Sequence, residues 1–173
     1  MRRERVLDRA EALIERRSAV LDVVAVAGVV ALAAQARIPL PWTPVPITLQ
    51  TVPVLAAGFV VGWRRATAGM LLYVALGLMG AHVFAVNTGV ALTPTFGYIL
   101  AFAAAPAAIA RFRNPVSGVI AATALIYAVG ATWLALTTPM TAGQIVASGV
   151  APFIPGDVVK AYAACRIGQW ARQ

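Results

Sequence analysis

From Ala19 onward the chain alternates long apolar runs with short interruptions of proline, glycine or clustered arginine. Uncharged runs near 20 residues are the length that crosses a bilayer as an α-helix. The first run, residues 19–36, predicts helix one. Residues 38–47 follow, with prolines at 39, 41, 44 and 46, which excludes a helix there. A second helix starts near Thr48 and ends before Trp63-Arg-Arg65. It is short enough to be tilted or only partly spanning. Helix three covers 66–80, and a loop containing His82, Asn87 and Gly89 comes next. Helix four covers 94–110 and stops at Arg111-Phe-Arg113; helix five covers 116–136. Residues 141–150 read as a short interfacial helix. The last helix begins around Pro155, where proline suits a first turn, and ends between 166 and 172. The expected fold is an all-α membrane protein, one bundle of about six transmembrane helices with short loops.

Composition supports this. The chain is 61% hydrophobic and 12% charged, with a mean hydropathy of +0.82, too little charge for a water-soluble domain of 173 residues. The net charge of +8 points at first to nucleic acid. Its distribution does not. Residues 1–22 hold six arginines and five acids, which nearly cancel. The other arginines cluster between apolar runs, as Arg64 with Arg65, Arg111 with Arg113, and Arg166 with Arg172. That is positive-inside spacing rather than a stripe for nucleic acid. With the N-terminus inside, every cluster and the C-terminus are cytoplasmic, and Arg37 alone lies outside. The chain is then a multi-pass protein of the cell membrane, in contact with the lipid bilayer. Residues 1–17 are too charged for a secretory signal. Val6, Leu7, Ala10, Leu13 and Ile14 fall at helical spacing. Residues 1–18 read as an amphipathic segment on the cytoplasmic surface, the alternative being a solvated leader, and residues 19–173 as a single transmembrane domain.

Past residue 22 there is one acid, Asp157, and the chain's only lysine, Lys160, stands three positions later. Residues three apart share a helix face. A charged side chain at membrane depth costs roughly 2.5 to 3.5 kcal/mol on insertion scales, so it usually has a task. The pair is expected to hold something polar; the plain alternative is a capping acid with a lysine partner. The arginine topology puts the Pro-rich loop, the loop at 82–92 and the mouth of the last helix together on the outer side. Asn87 there can donate and accept, or simply form a turn. Gln50 can do similar chemistry or satisfy loop backbone. His82, the only histidine, reads as a loop or rim residue, since a metal would need more ligands nearby. Cys165 has no partner for an internal disulfide and reads as a small buried hydrophobe. Ala27-x-x-x-Ala31, beside Gly28, would let another helix approach closely, although alanines this abundant also fit core packing. No Gly-x-x-x-x-Gly-Lys-Ser/Thr loop, Ser/His/Asp arrangement, zinc spacing or carboxylate pair is present. No enzyme, cofactor or metal site is expected, and energy for uphill movement would come from another chain or an ion gradient.

Several motifs occur in order: Pro44-Val-Pro-Ile-Thr-Leu-Gln50, Gly58-Phe-Val-Val-Gly62, Tyr73-Val-Ala-Leu-Gly77, Val83-Phe84, Pro94-Thr-Phe-Gly-Tyr98 and Pro152-Phe-Ile-Pro-Gly-Asp-Val-Val-Lys160. Over residues 19–168 the chain resembles the BioY family, the biotin-binding S components of energy-coupling-factor (ECF) vitamin transporters. It departs from that pattern at His82, where proline is usual, and at Thr93 and Phe96, where glycines are usual. The resemblance implies a six-helix bundle with an external biotin site. It also implies a partner module of one membrane scaffold subunit and two ATP-hydrolysing subunits. Asn87, Asp157 and Lys160 are then the expected polar contacts to the ureido group, with Gln50 beside them. Trp42, Tyr98 and Phe153 would enclose the rest, the Pro-rich loop would be a lid, and Ala27 and Ala31 would meet the scaffold. Two other classes remain beside this reading: an autonomous secondary transporter or channel for a small vitamin-like solute, and an intramembrane enzyme using Asp157 and Lys160 as acid and base.

Overall fold

The computed structural model describes residues 2–86 and 93–171, with backbone only for 2–14 and 16. Among these residues there are seven α-helices and one small hairpin. They are α1 (Arg2–Gln35), β1 (Arg37–Ile38), β2 (Ile47–Thr48), α2 (Thr51–Val60), α3 (Trp63–Leu78), α4 (Phe96–Ala110), α5 (Pro115–Thr137), α6 (Ala142–Gly149) and α7 (Ile154–Trp170).

α1 runs for 34 residues without a break. The boundary expected at residue 18 therefore falls inside a continuous helix. No proline or glycine occurs before Gly28 to stop it. The Pro-rich segment is not helical, as expected, but its ends pair antiparallel, Arg37 with Thr48 and Ile38 with Ile47. α3 opens at Trp63, because Gly62 adopts a positive φ of 81° that ends the preceding turn. Arg64 and Arg65 therefore ride on the first turn of a helix rather than in a loop. The Arg64 guanidinium sits 5.3 Å from the Trp63 ring centroid. α5 begins at the expected place. Asn114 caps it by accepting from the Val116 amide at 2.9 Å, with Pro115 in the first turn.

By length and composition alone, the described helices supply fewer full spans than the six expected. Among the described residues two helices are long and apolar enough to cross a bilayer: Arg17–Gln35 within α1, and α5. α6 and α7, bent by 48° at their break, make a third if taken as one span. α2 has 10 residues and α4 has 15, roughly 15 and 22 Å long, against a hydrocarbon core of about 30 Å. Gln50 and Gly62 bound α2, and the Thr93–Thr95 turn delays α4 to Phe96.

Packing brings α4 against α5, α1 against α3, α3 against α4, and α2 against α7. Val30, Val54, Leu55, Met70, Tyr73 and Leu134 are fully buried. α1 and α3 approach closely because Gly69 has no Cβ; one placed there would stand 2.6 Å from the Cβ of Val26. Arg65 joins the same two helices, donating to Asp22 at 2.7 Å. Ala27 is 3% exposed and belongs to this core, while Ala31 is half-buried. The Ala-x-x-x-Ala stripe is thus turned inward at its first residue, because that side of α1 meets α3. The outer faces are apolar instead: Leu32, Leu71, Ile120, Leu136 and Val158 are all exposed. So large an exposed apolar surface suits hydrocarbon, not water.

Candidate functional site

One end of the bundle gathers the Pro-rich hairpin, the segment 81–86, the turn before α4, and α6 with the first turn of α7. Side chains tie these pieces together. Thr43 accepts from the Val45 amide at 3.1 Å and donates its hydroxyl to the Ser148 carbonyl at 2.8 Å, which fastens the hairpin to α6. Tyr73 and Gln35 both donate to the Val83 carbonyl, at 3.3 and 3.5 Å, which holds segment 81–86 to α3 and α1. The Trp133 indole donates to the Thr93 carbonyl at 3.0 Å. Phe96, bulkier than the glycine expected there, is absorbed between Phe84 and Trp133, with ring centroids 6.2 and 5.7 Å away.

Beneath these loops lies a cavity of ≈ 600 Å³ with its open mouth included. α2 contributes Thr51, with Gln50 just before it. α4 contributes Tyr98, Ile99 and Phe102, α5 contributes Ile126 and Tyr127, and α7 contributes Asp157 and Lys160, with Phe153 at its cap. Val45, Pro46, Ala85 and Val86 close the top. Most of this wall is apolar, and the polar groups converge on one side.

Asp157 is at their centre. It sits in the first turn of α7, where a carboxylate favours the helix dipole. It is 7% exposed and Lys160 9%. The Lys160 ammonium donates to Oδ1 at 2.8 Å, the Thr51 hydroxyl reaches the same oxygen at 3.4 Å, and the Tyr127 hydroxyl donates to Oδ2 at 2.6 Å. A buried carboxylate without such partners would be strongly destabilising. Among the described residues Lys160 donates to Asp157 alone. An ammonium has three protons, so Lys160 can donate to a ligand's acceptor as well. Gln50, 3% exposed, donates its amide to the Tyr73 hydroxyl at 2.6 Å, and its carbonyl oxygen receives no donor among the described residues. The cavity therefore offers acceptors (Asp157, Gln50) beside a donor (Lys160), with apolar walls around them. Tyr98 donates to the Gly149 carbonyl at 2.8 Å. Its ring lies against α5 only because residue 130 is glycine; a Cβ there would run into it.

Of the residues singled out in the sequence, Gln50, Tyr98, Phe153, Asp157 and Lys160 line this one cavity. Trp42 does not; it is 63% exposed and outside the lining. Asn87 lies outside the described residues. His82 is exposed on segment 81–86 and Cys165 is half-buried as a free thiol. Among the described residues no group of three His, Cys, Asp or Glu could hold a metal. The sequence reading missed Tyr127 and Thr51, the other two donors to Asp157. Thr51 is the one hydroxyl on α2, whereas Tyr127 shares α5 with Ser117, Thr123, Thr132 and Thr137, so its hydroxyl did not stand out.

A model of the BioY family matches residues 8–173. A probable biotin transporter BioY of Pyrococcus horikoshii is 39% identical over 131 residues, covering 73% of this chain and 80% of that protein. The biotin transporter BioY of Rhizobium etli is 30% identical over 172 residues, covering 88% and 91%. The fold is similar to a crystal structure of the S-component for biotin from an ECF-type ABC transporter. The TM-score is 0.78 at 24% identity, over 92% of this chain and 93% of that one.

Proposed function

Because the chain belongs to the BioY family, we infer that it is the biotin-binding membrane subunit of an ECF-type transporter, with its site open to the outside. The family is one of transporters, not enzymes. One observation carries the ligand assignment: a buried, mutually neutralised carboxylate and ammonium stand side by side in a mostly apolar cavity. A ureido head has two N–H donors and one carbonyl acceptor. Asp157 accepts from the N–H groups, Lys160 donates to the carbonyl, and Gln50 serves either. Tyr98 and Phe153 enclose the apolar rings, and the family resemblance adds Asn87 as a further polar contact. Trp42 joins them only if the Pro-rich loop moves inward.

The rest of the proposal concerns the setting. The chain crosses the cell membrane six times, with the shorter helices tilted or completed by their flanking loops, and keeps both termini in the cytoplasm. The arginine clusters support that orientation. The energy comes from partners, a membrane scaffold subunit and two ATPase subunits, since the chain carries no phosphate-binding loop of its own. Ala31, at the half-buried edge of α1, is the residue of the small stripe that best meets the scaffold. Calorimetry on the purified chain tests the core of this reading. Biotin should bind at 1:1, and absence of heat together with no competition against labelled biotin would overturn it.

A further inference from the structure

Tyr127 stands between two openings. On one side is the cavity just described. On the other an apolar groove of ≈ 580 Å³, open solvent included, runs between α5 and α7, bounded by Ile120, Thr123, Ile154 and Val158. Tyr127 and Asp157 line both. The groove faces outward from the bundle, where Ile120 and Val158 are 63% and 64% exposed. α7 leans mainly on α2, which leaves its seam with α5 loosely filled. The ring of Tyr127 therefore stands beside the carboxylate, between the two openings.

Its hydroxyl has a second effect. Lys160 and Thr51 both hold Oδ1 of Asp157, and among the described residues only Tyr127 holds Oδ2. The terminal torsion of an aspartate is broad, so a carboxylate tethered at one oxygen can swing. The 2.6 Å bond from Tyr127 stops that swing.

We propose that Tyr127 is a specificity-determining positioning residue. Its hydroxyl sets the plane of the Asp157 carboxylate toward a ligand N–H, and its ring fills the space that a substituent on that nitrogen would need. The proposal rests on the cavity taking a ureido ligand. It is tested on the full purified chain with biotin and with biotin methylated at either ureido nitrogen. The wild-type chain should bind biotin and reject at least one methylated form. Tyr127→Phe, which keeps the ring, should weaken biotin by about 10-fold, the loss of one hydrogen bond to a charged group. In an Asp157→Asn background the same change should matter by less than about 2-fold, because the two residues act as one unit. Tyr127→Ala should shrink the penalty for methylation by about 10-fold, the scale on which a single added methyl is discriminated in a closed pocket. Unchanged biotin affinity in Tyr127→Phe overturns the positioning role. Equal losses for biotin and its methylated forms in Tyr127→Ala overturn the specificity role and leave Tyr127 a packing residue. A wild-type chain that binds no biotin overturns the reading of the cavity itself, and this inference with it.

Discussion

Three donors converge on the carboxylate of Asp157, and the two ends of the molecule can be told apart by what happens when a charge is removed. Asp157→Asn keeps the shape but weakens acceptance of ligand N–H groups. Biotin affinity should fall about 10- to 150-fold, the equivalent of 1.5 to 3 kcal/mol for a hydrogen bond to a charged group. Arg65→Gln breaks the pair with Asp22, which is about one-third exposed at both partners. Such pairs contribute under about 1 kcal/mol to stability, and this one is remote from the cavity lining, so affinity should not change. Titration calorimetry on both variants decides it, and equal affinities would refute the site assignment. Asp157 and Lys160 were legible in the sequence because ionisable residues are rare in so apolar a chain. Tyr127 and Thr51 were not. A hydroxyl on an apolar helix reads as core until one knows which helices face each other, and spacing within one helix cannot say that.

Helices were readable from their runs, and their ends mostly from proline, glycine and arginine. What the runs concealed was pairing. The prolines excluded a helix over 38–47 but gave no sign that Arg37–Ile38 would pair with Ile47–Thr48, because a two-residue ladder is specified by the geometry of what flanks it. The Ala27-x-x-x-Ala31 spacing likewise could not say which side of α1 meets α3. This yields a prediction at the level of the helix. Ala27→Leu places extra bulk in a filled core, and overpacking costs about 1 to 3 kcal/mol. It should lower the melting temperature of the isolated subunit. Ala31→Leu should leave that temperature nearly unchanged yet reduce co-purification with the scaffold subunit. The reverse pattern, or full assembly by both variants, would remove α1 as the docking helix.

For the molecule as a whole, the apolar exterior and the gathering of loops at one end fix a bundle with a polar site near one mouth. Helix length was the least legible quantity, because run length counts apolar residues while α2 and α4 are cut short by turns at their ends. Orientation can be measured directly. With Cys165 replaced by serine, a cysteine at His82 should react in intact cells with a membrane-impermeant maleimide, and one at Phe112, itself 46% exposed, only after lysis. The opposite labelling would invert the topology and turn the cavity toward the cytoplasm.

The hairpin has a consequence for how tightly such a cavity can hold its ligand. Ordering one backbone residue costs about 1 to 2 kcal/mol, so freezing a loose loop of about eight residues on capture would consume about as much as a micromolar affinity supplies. Residues 39–46 escape most of that. Their ends are clamped by the Arg37–Thr48 and Ile38–Ile47 pairs, their prolines fix four φ angles, and Thr43 pins the tip to α6. The entropy of this loop is lost when the protein folds. A ligand that arrives beneath Val45 and Pro46 therefore meets a roof already in place, and its binding free energy is diminished only by whatever small inward movement remains.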